Sequence, residues 1–537
     1  MARYLLAAEA DKIQDLLFRS ARLREVVGGS QLLSRFCKET PQLLNVPKED
    51  IIISDGGSFR ILFDRQEQAQ AFGADLAEVY RRATGGSLSI AEPVAVNDDF
   101  GKASAQAEEN LRQAKRWREN WKSQEHLPYV AFCASCGVGL AKKHTAYHEN
   151  QDPQYLCPSC LTKGAERATG AELGDFLREF YGVVVGLNNL RTLDWPGKQK
   201  RRGCKEIDPL EDVADYDPRR YVAYLVADGN NMGQIFGKCQ TPEQMRDLSK
   251  GLSEVVRKAL AEPAHLAMDA QHQVSDRENF VPVLPLILGG DDLFALIPAP
   301  WALDFSLRFC QVYEREMKAL LERIGLQEIP IPTVAAAVVI CKSKHPYALA
   351  HEAGESRLKE AKRMGKQRVL DGEQPCSTLN FEIVLGGRLV EPVSDKLLRA
   401  TLRPYWGTKS ADLNGWGLSV KQLLEHRYEL RSVPHKRLVE LRSLYDDLPE
   451  SLKPDSLDPW KARLEQLQVR IGRKEKHREA VDTALSTLGG KEPGYWRKVD
   501  RPPQNVWHGH GLPDLLEVWD FALDLDKNRQ DYEEEAE

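Results

Sequence analysis

Three aspartates could do chemistry in this sequence: Asp228, Asp291 and Asp292. Asp228 directly follows the apolar run 221–227, in Ala227-Asp228-Gly229-Asn230-Asn231-Met232-Gly233. Asp291 and Asp292 stand in Gly289-Gly290-Asp291-Asp292, between the apolar runs 281–288 and 293–297, which is a hairpin pattern. If that strand and that hairpin lie side by side, the carboxylates converge on one face. Converging carboxylates repel and are costly to bury unpaired, so they call for a divalent cation. Hard oxygen ligands suit Mg2+ or Mn2+. Such ions polarise a phosphate and stabilise both the attacking and the leaving oxygen in phosphoryl transfer. Gly289 and Gly290 let a triphosphate approach the backbone closely. Gly-Gly-Asp-Asp alone is ordinary turn chemistry, and Asp228 with the flanking runs is what argues for more. Lys362, in Ala361-Lys362-Arg363-Met364-Gly365-Lys366, could hold triphosphate charge. Taken alone, it is a cation favoured at a helix C-terminus.

A second constellation is Cys133-x-x-Cys136 and Cys157-x-x-Cys160, separated by twenty residues. Four thiolates at this spacing complete the tetrahedral shell of a structural Zn2+ ribbon, leaving no open position for catalysis. His144 and His148 lie between the pairs and read as surface residues, and the other six cysteines as core. The basic run 198–202 with Lys205 could grip an RNA backbone, although a solvated loop explains it as well. His508-Gly509-His510 has no acidic or cysteine partner in register and reads as loop.

The elements that must position these residues fall into four stretches. Residues 1–125 alternate strand and helix patterns, with a helix over 13–36 and a hairpin turning at Asp55-Gly56-Gly57-Ser58. Residues 126–219 are loop-rich, with a helix near 171–181 and a polar linker over 190–219. Residues 220–385 read strand, helix, hairpin, helix, strand, helix, strand, with the last helix over 348–363 and a strand starting at 368. That order is a ferredoxin-like sheet with extra helices. The first stretch has a similar order, so the two read as a diverged duplication. Residues 386–537 are dominated by helical patterns, such as 396–402 and 436–445. The fold class expected is α+β, with two ferredoxin-like domains, an intervening zinc ribbon and helical region, and a helical C-terminal domain.

Bulk properties narrow the setting. The 537 residues carry a formal net charge of −6, so general attraction to nucleic acid or anionic membrane is not expected, and RNA contacts would come from local patches. No apolar run is long enough to span a bilayer, and the first residues do not read as a signal peptide. The cytoplasm is the expected location, with its ten cysteines reduced.

These residues resemble a known family, the large polymerase-like subunit of type III CRISPR effector complexes. Asp11-Lys12-Ile13-Gln14-Asp15-Leu16-Leu17-Phe18, followed by 23–30, is similar to that family's first palm. Asp55-Gly56-Gly57-Ser58-Phe59 is similar to its degenerate turn, and Asp228-Gly229, Gly289-Gly290-Asp291-Asp292 and Ala361-Lys362 to its active second palm. The resemblance covers about residues 1–385. It implies a degenerate palm over 1–125, a ribbon over 126–219 and a catalytic palm over 220–385. It also implies that ATP is joined into cyclic oligoadenylates when guide RNA in the complex pairs with target RNA. Asp228 and Asp291 would bind metal with Asp292 beside them, while Gly229, Gly289, Gly290, Lys362 and Ser58 would serve the nucleotides. The sequence departs from the family in carrying Asn230 where many members have a second acid. It also starts at the palm, with His126 its first histidine, so no HD nuclease domain and no DNA cleavage are expected.

Two other readings compete. A diguanylate cyclase also uses a strand aspartate and a Gly-Gly-acid hairpin, but has Glu-Phe where this chain has Asp292-Leu293, and lacks tandem palms and a ribbon. A scaffold subunit that only holds RNA and partner proteins would not need the acidic set. Within the family, some members join ATP to a different small molecule, and the sequence does not name the product.

Overall fold

The computed structural model describes residues 3–20, 22–97, 99–118, 131–146, 152–168, 175–190, 192–197, 209–270, 279–370, 372, 374–384, 398–408, 417–448, 457–472, 474–490, 495–499 and 507–526. The first domain comprises β1 (Arg3–Ala10), α1 (Ile13–Phe18), α2 (Leu23–Leu43), β2 (Ile51–Asp55), β3 (Ser58–Phe63), α3 (Gln66–Thr84), β4 (Leu88–Ile90), β5 (Val94–Val96) and α4 (Phe100–Arg118). Its sheet runs β2-β3-β1-β4, with β5 also paired to β1. The single helix expected over 13–36 is two helices. The chain breaks after Phe18, and Arg22 is extended (φ −120°). The break serves the ribbon: Ser20 faces the Cys160 sulphur at 3.9 Å and Arg22 donates to Gln154.

The middle region holds β6 (Lys143–Thr145), β7 (Gln154–Leu156), α5 (Pro158–Ala168), α6 (Asp175–Val185) and α7 (Pro209–Ala214). The expected linker over 190–219 is not wholly one, since Leu193, Trp195, Val213 and Tyr216 are buried and 209–214 is helical. Apolar residues spaced among its charges anchor it to the core. The basic residues 198–202 and Lys205 lie outside the described residues.

The second domain comprises β8 (Tyr221–Gly229), α8 (Met232–Phe236), α9 (Pro242–Ala270), β9 (Leu284–Gly289), β10 (Asp292–Pro298), α10 (Ala302–Arg323), β11 (Val334–Lys342), α11 (Tyr347–Leu370) and β12 (Thr378–Ile383). The strands lie β12-β11-β8-β10-β9, and β12 is parallel to β11 after the crossover through α11. From β9 to β11 this repeats the ferredoxin-like order of the first sheet. α9 is capped at its start, where the Gln244 backbone amide donates to Thr241 Oγ1 at 3.2 Å. The strand expected from 368 is instead the last turn of α11. Arg368 is buried, stacks over Trp406 at 5.0 Å and donates to the Gln374 carbonyl at 2.7 Å, which keeps that turn helical.

The C-terminal region holds β13 (Leu398–Arg399), β14 (Tyr405–Trp406), α12 (Val420–Glu429), α13 (His435–Asp446), α14 (Asp458–Ile471), α15 (Glu475–Leu488), β15 (Arg497–Val499), β16 (Trp507–Gly509) and α16 (Leu512–Glu517). β14 extends the second sheet beyond β12, and β13-β16-β15 form a small sheet. Two expectations fail here. Residues 398–399 are strand rather than helix, paired to β16. His508 and Gly509 also lie in β16, and His510 is buried against Tyr445 and Trp496 at 5.0 and 5.9 Å. β13 meets its partner β16 across about a hundred residues of chain, which a local pattern does not reveal.

Candidate functional site

β8 is buried from Tyr221 to Ala227 because it is covered on both faces, which is why its sequence is continuously apolar. Asp228 is where the run becomes polar. Leu293 of β10 stands opposite Ala227, and Ala335 of β11 opposite Asp228. Asp292 pairs with Gly289, leaving the two-residue turn Gly290-Asp291, and Gly290 supplies the positive φ (+62°) that the turn needs. Gly229 allows the turn to close on the strand. A Cβ there would stand 3.0 Å from the Asp291 Cβ and 2.9 Å from the Tyr313 hydroxyl.

The structure thus brings the three aspartates together at one end of the sheet, and Lys362 with them. Its ammonium, from α11, is ion-paired to Asp228 Oδ2. Asp291 is pushed up to about 7, first by burial and then by the charge of Asp228. Asp292 is pushed up to about 8 by the same two causes in the same order. Although its own side chain reaches solvent, the surrounding mass of protein dehydrates it. A site that holds carboxylates this uncomfortably lacks positive charge, and so fits a divalent cation. Among the described residues, however, the four cysteines are the one group of potential ligands drawn to metal-holding distance. The aspartates are neighbours that are not gathered so tightly.

The remaining predicted positions lie around this centre. The Asn230 side chain donates to Thr333 Oγ1 at 3.0 Å, and its backbone amide to the Thr333 carbonyl at 2.8 Å, so it serves the loop. Ser58 is on the first domain, across the ladder from Glu9, whose charge contributes to the rise at Asp291. The turn beside Ser58 touches the Gly290-Asp291 turn directly, and a Cβ on Gly289 would meet Gly56 Cα at 3.3 Å. Ser253 and Arg246 of α9 bind Asp55 and the carbonyls of Ile51 and Glu49, which fixes this apposition.

Two further groups face the site without having been singled out in the sequence. Tyr313, buried behind Gly229, is held far above its ordinary range by burial and then by Asp291 and Asp228. Glu355, on α11, is raised by burial and then by Asp228, and accepts from Gln14 of the first domain at 3.5 Å. Tyr313 sits in the apolar stripe of its helix and looks like core. Glu355 lies seven residues before Lys362, close to a helical repeat, a spacing that marks a shared face only once Lys362 has been placed.

Cys133, Cys136, Cys157 and Cys160 place their sulphurs within 4.8 Å of one another. Backbone amides support the knuckles, with Gly139 donating to Cys136 Sγ at 3.3 Å and Cys160 to Cys157 Sγ at 3.5 Å. The Cys157 thiol is pulled down to about 5, chiefly by its hydrogen bond with Cys160. This donor set fits a tetrahedral thiophilic ion. His144 packs at a tilt against Tyr155 at 4.4 Å and is not one of the gathered ligands, and His148 lies outside the described residues.

Comparison with known proteins bears on the domain and the fold. Residues 221–370 match the family model described as Cas10/Cmr2, second palm domain. Among solved structures, the chain is similar to a Csm1-Csm4 cassette in complex with cA4, at 14% identity and a TM-score of 0.50 over 97% of this chain and 70% of that one. The cassette in complex with pppApApA gives 14% identity and a TM-score of 0.50 over 97% and 69%. Csm1 in T. onnurineus gives 14% and 0.49 over 97% and 70%. At such identities the likeness is one of fold. No curated protein matches the chain by sequence. Among the described residues, no helix is long and apolar enough to cross a membrane. The aspartates and Lys362 therefore stand within the stretch that matches a Cas10/Cmr2 second palm domain.

Proposed function

We propose that this chain is the nucleotide-polymerising subunit of a type III CRISPR effector, and that it condenses ATP into cyclic oligoadenylate-type signal molecules when target RNA is bound. The observation that carries the reading is the meeting of Asp228, Asp291, Asp292 and Lys362 beside the first palm, within a Cas10/Cmr2 second palm. Asp228 and Asp291, with Asp292 beside them, are the residues that would hold Mg2+ or Mn2+. A divalent ion bound there would polarise the α-phosphate and offset the charge that develops on it. Lys362 binds triphosphate oxygens, and Gly229, Gly289 and Gly290 leave the backbone open to them. Ser58 contacts the second nucleotide from the first palm. The 3'-hydroxyl of one nucleotide attacks the α-phosphorus of the other, and pyrophosphate leaves.

The related cassettes solved with cA4 and with pppApApA support adenylate products of this class. They also support a Csm4-type neighbour as partner, whereas guide and target RNA enter through the family resemblance of the sequence. The four cysteines hold Zn2+ in a folding role. The test is turnover of ATP by the assembled complex with Mg2+ and target RNA, for the wild type and Asp228→Asn. An amide cannot replace a carboxylate ligand of a hard ion, so the variant should be inactive. Undiminished turnover would refute the site.

A further inference from the structure

Phe18, the last residue of α1 in the first palm, reaches into the second palm. Its ring stacks on His351 with centroids 3.9 Å apart and planes at 26°. It meets Phe294 edge-on at 5.1 Å and Tyr347 at 6.3 Å. Phe294 in turn stacks on Tyr224 at 5.3 Å and meets His351 edge-on at 4.9 Å. These residues share the face of the sheet that carries the carboxylates. Phe294 and Asp292 are two apart on β10, Tyr224 and Asp228 four apart on β8, and a strand repeats every two residues.

α11 lies across that same face. Gly354 lets it settle there, since a Cβ at this position would come 2.5 Å from Val226 Cγ2. Tyr347, His351, Glu355, Leu358 and Lys362 follow one another at helical spacing along one stripe. From His351, under the Phe18 ring, the stripe runs about 16 Å along the axis by helical rise to Lys362 and its ion pair with Asp228. Beside Phe18, Gln14 of α1 donates to Glu355. α1 is itself tied to the ribbon through Lys163, whose ammonium donates to the Leu16 carbonyl.

We propose that Phe18 is a positioning residue for nucleotidyl transfer: its ring, clamped against His351, Phe294 and Tyr347, fixes α11 and so sets where Lys362 stands over the carboxylates. The inference rests on the proposed function for its kinetic consequence, but not for its structural one. An aromatic contact of this kind is worth having only if the rings stay packed, and a helix transmits a displacement at one end to the other. Placement of the first palm is thereby conveyed to a phosphate-binding cation in the second.

The experiment compares wild type, Phe18→Ala, Phe18→Tyr, Lys362→Ala and the Phe18→Ala/Lys362→Ala double variant in the assembled complex. ATP turnover and amide hydrogen exchange over α11 are the readouts. Phe18→Ala should raise exchange in α11 and lower kcat/KM by about tenfold or more, the scale on which misplaced groups cost rate. Phe18→Tyr, which keeps the ring, should stay close to wild type. In the Lys362→Ala background, Phe18→Ala should cost nothing further, because it acts through that lysine. Additive losses in the double variant, or unchanged α11 exchange in Phe18→Ala, would overturn the proposal. Should Phe18→Ala fail to assemble, Phe18→Leu keeps the apolar bulk without a ring face and should shift both readouts in the same direction. A wild-type complex that makes no nucleotide product would refute the proposed function, while the exchange data would still decide the clamp.

Discussion

Lys362 and Asp228 are 134 residues apart in sequence and ion-paired in the structure. The pair joins a helix near the end of the second palm to the first strand of that palm. It also neutralises the carboxylate with the best claim to a metal. Lys362→Ala should therefore have two opposite effects. Turnover should fall by about a hundredfold, the usual consequence of losing one charge-stabilising donor. Binding of Mn2+ without nucleotide, followed by electron paramagnetic resonance, should not weaken, because the ion no longer competes with an ammonium.

Asp291→Ala with Asp292→Ala should abolish nucleotide synthesis and leave assembly intact. Both carboxyls are pushed up, to about 7 and 8, by burial and by Asp228. Ionising them is work that the fold performs without return in the absence of metal. The double variant should accordingly melt at the same temperature as wild type or higher at pH 8.5, by calorimetry. A large loss of stability would mean the pair has a structural task.

Gly229→Ala tests the closeness of turn and strand. The added Cβ would meet Met232 Cγ at 2.7 Å, the Tyr313 hydroxyl at 2.9 Å and the Asp291 Cβ at 3.0 Å. Tyr313 and Met232 are buried, so the strain falls on the Asp291 turn. Denaturant unfolding should show a loss of about 1–3 kcal/mol, the range for overpacking, together with a sharp loss of turnover.

Elemental analysis of freshly purified protein should find one zinc per chain, bound by Cys133, Cys136, Cys157 and Cys160. Cys157→Ser should lower solubility and melting temperature more than turnover per folded molecule, since a closed thiolate shell has no open coordination position. Zinc-free protein of full stability would contradict this.

Acid should destabilise the chain through two buried histidines. Burial holds His351 down to about 4 and His510 down to about 3, while the unfolded residues titrate near their ordinary value of 6.5. Below that value the unfolded chain takes up protons that these folded side chains refuse. The contribution of these two histidines is thus fully present above about pH 6.5 and declines as pH falls toward 4. His510→Phe should flatten part of that decline in unfolding measured between pH 7 and 4.5.

The sequence disclosed the Gly290-Asp291 hairpin and its neighbouring strand because both are local: an apolar run ending in Asp228, and a turn whose glycines and acids stand side by side. It disclosed the ribbon for the same reason, through spacing alone. The reach of α11 was underestimated because Arg368 is held helical by Trp406, a residue of another region. His510 looked like loop because its aromatic neighbours come from α13 and the segment before β15. Phe18, Gln14 and Gly56 stand in motifs of the first palm, but their contacts were not legible because their partners His351, Glu355 and Gly289 belong to the other palm. Contacts created by docking one domain on another leave no periodicity in either.

The central claim is that the site makes adenylate products under control of RNA. The most direct measurement is mass spectrometry of the products formed from ATP and Mg2+ by the assembled complex, with and without matching target RNA, beside the isolated chain. Oligoadenylate rings are expected with target RNA, and almost none from the complex without it or from the isolated chain. Robust synthesis by the isolated chain, or ATP left unchanged by the complete complex with target RNA, would contradict it.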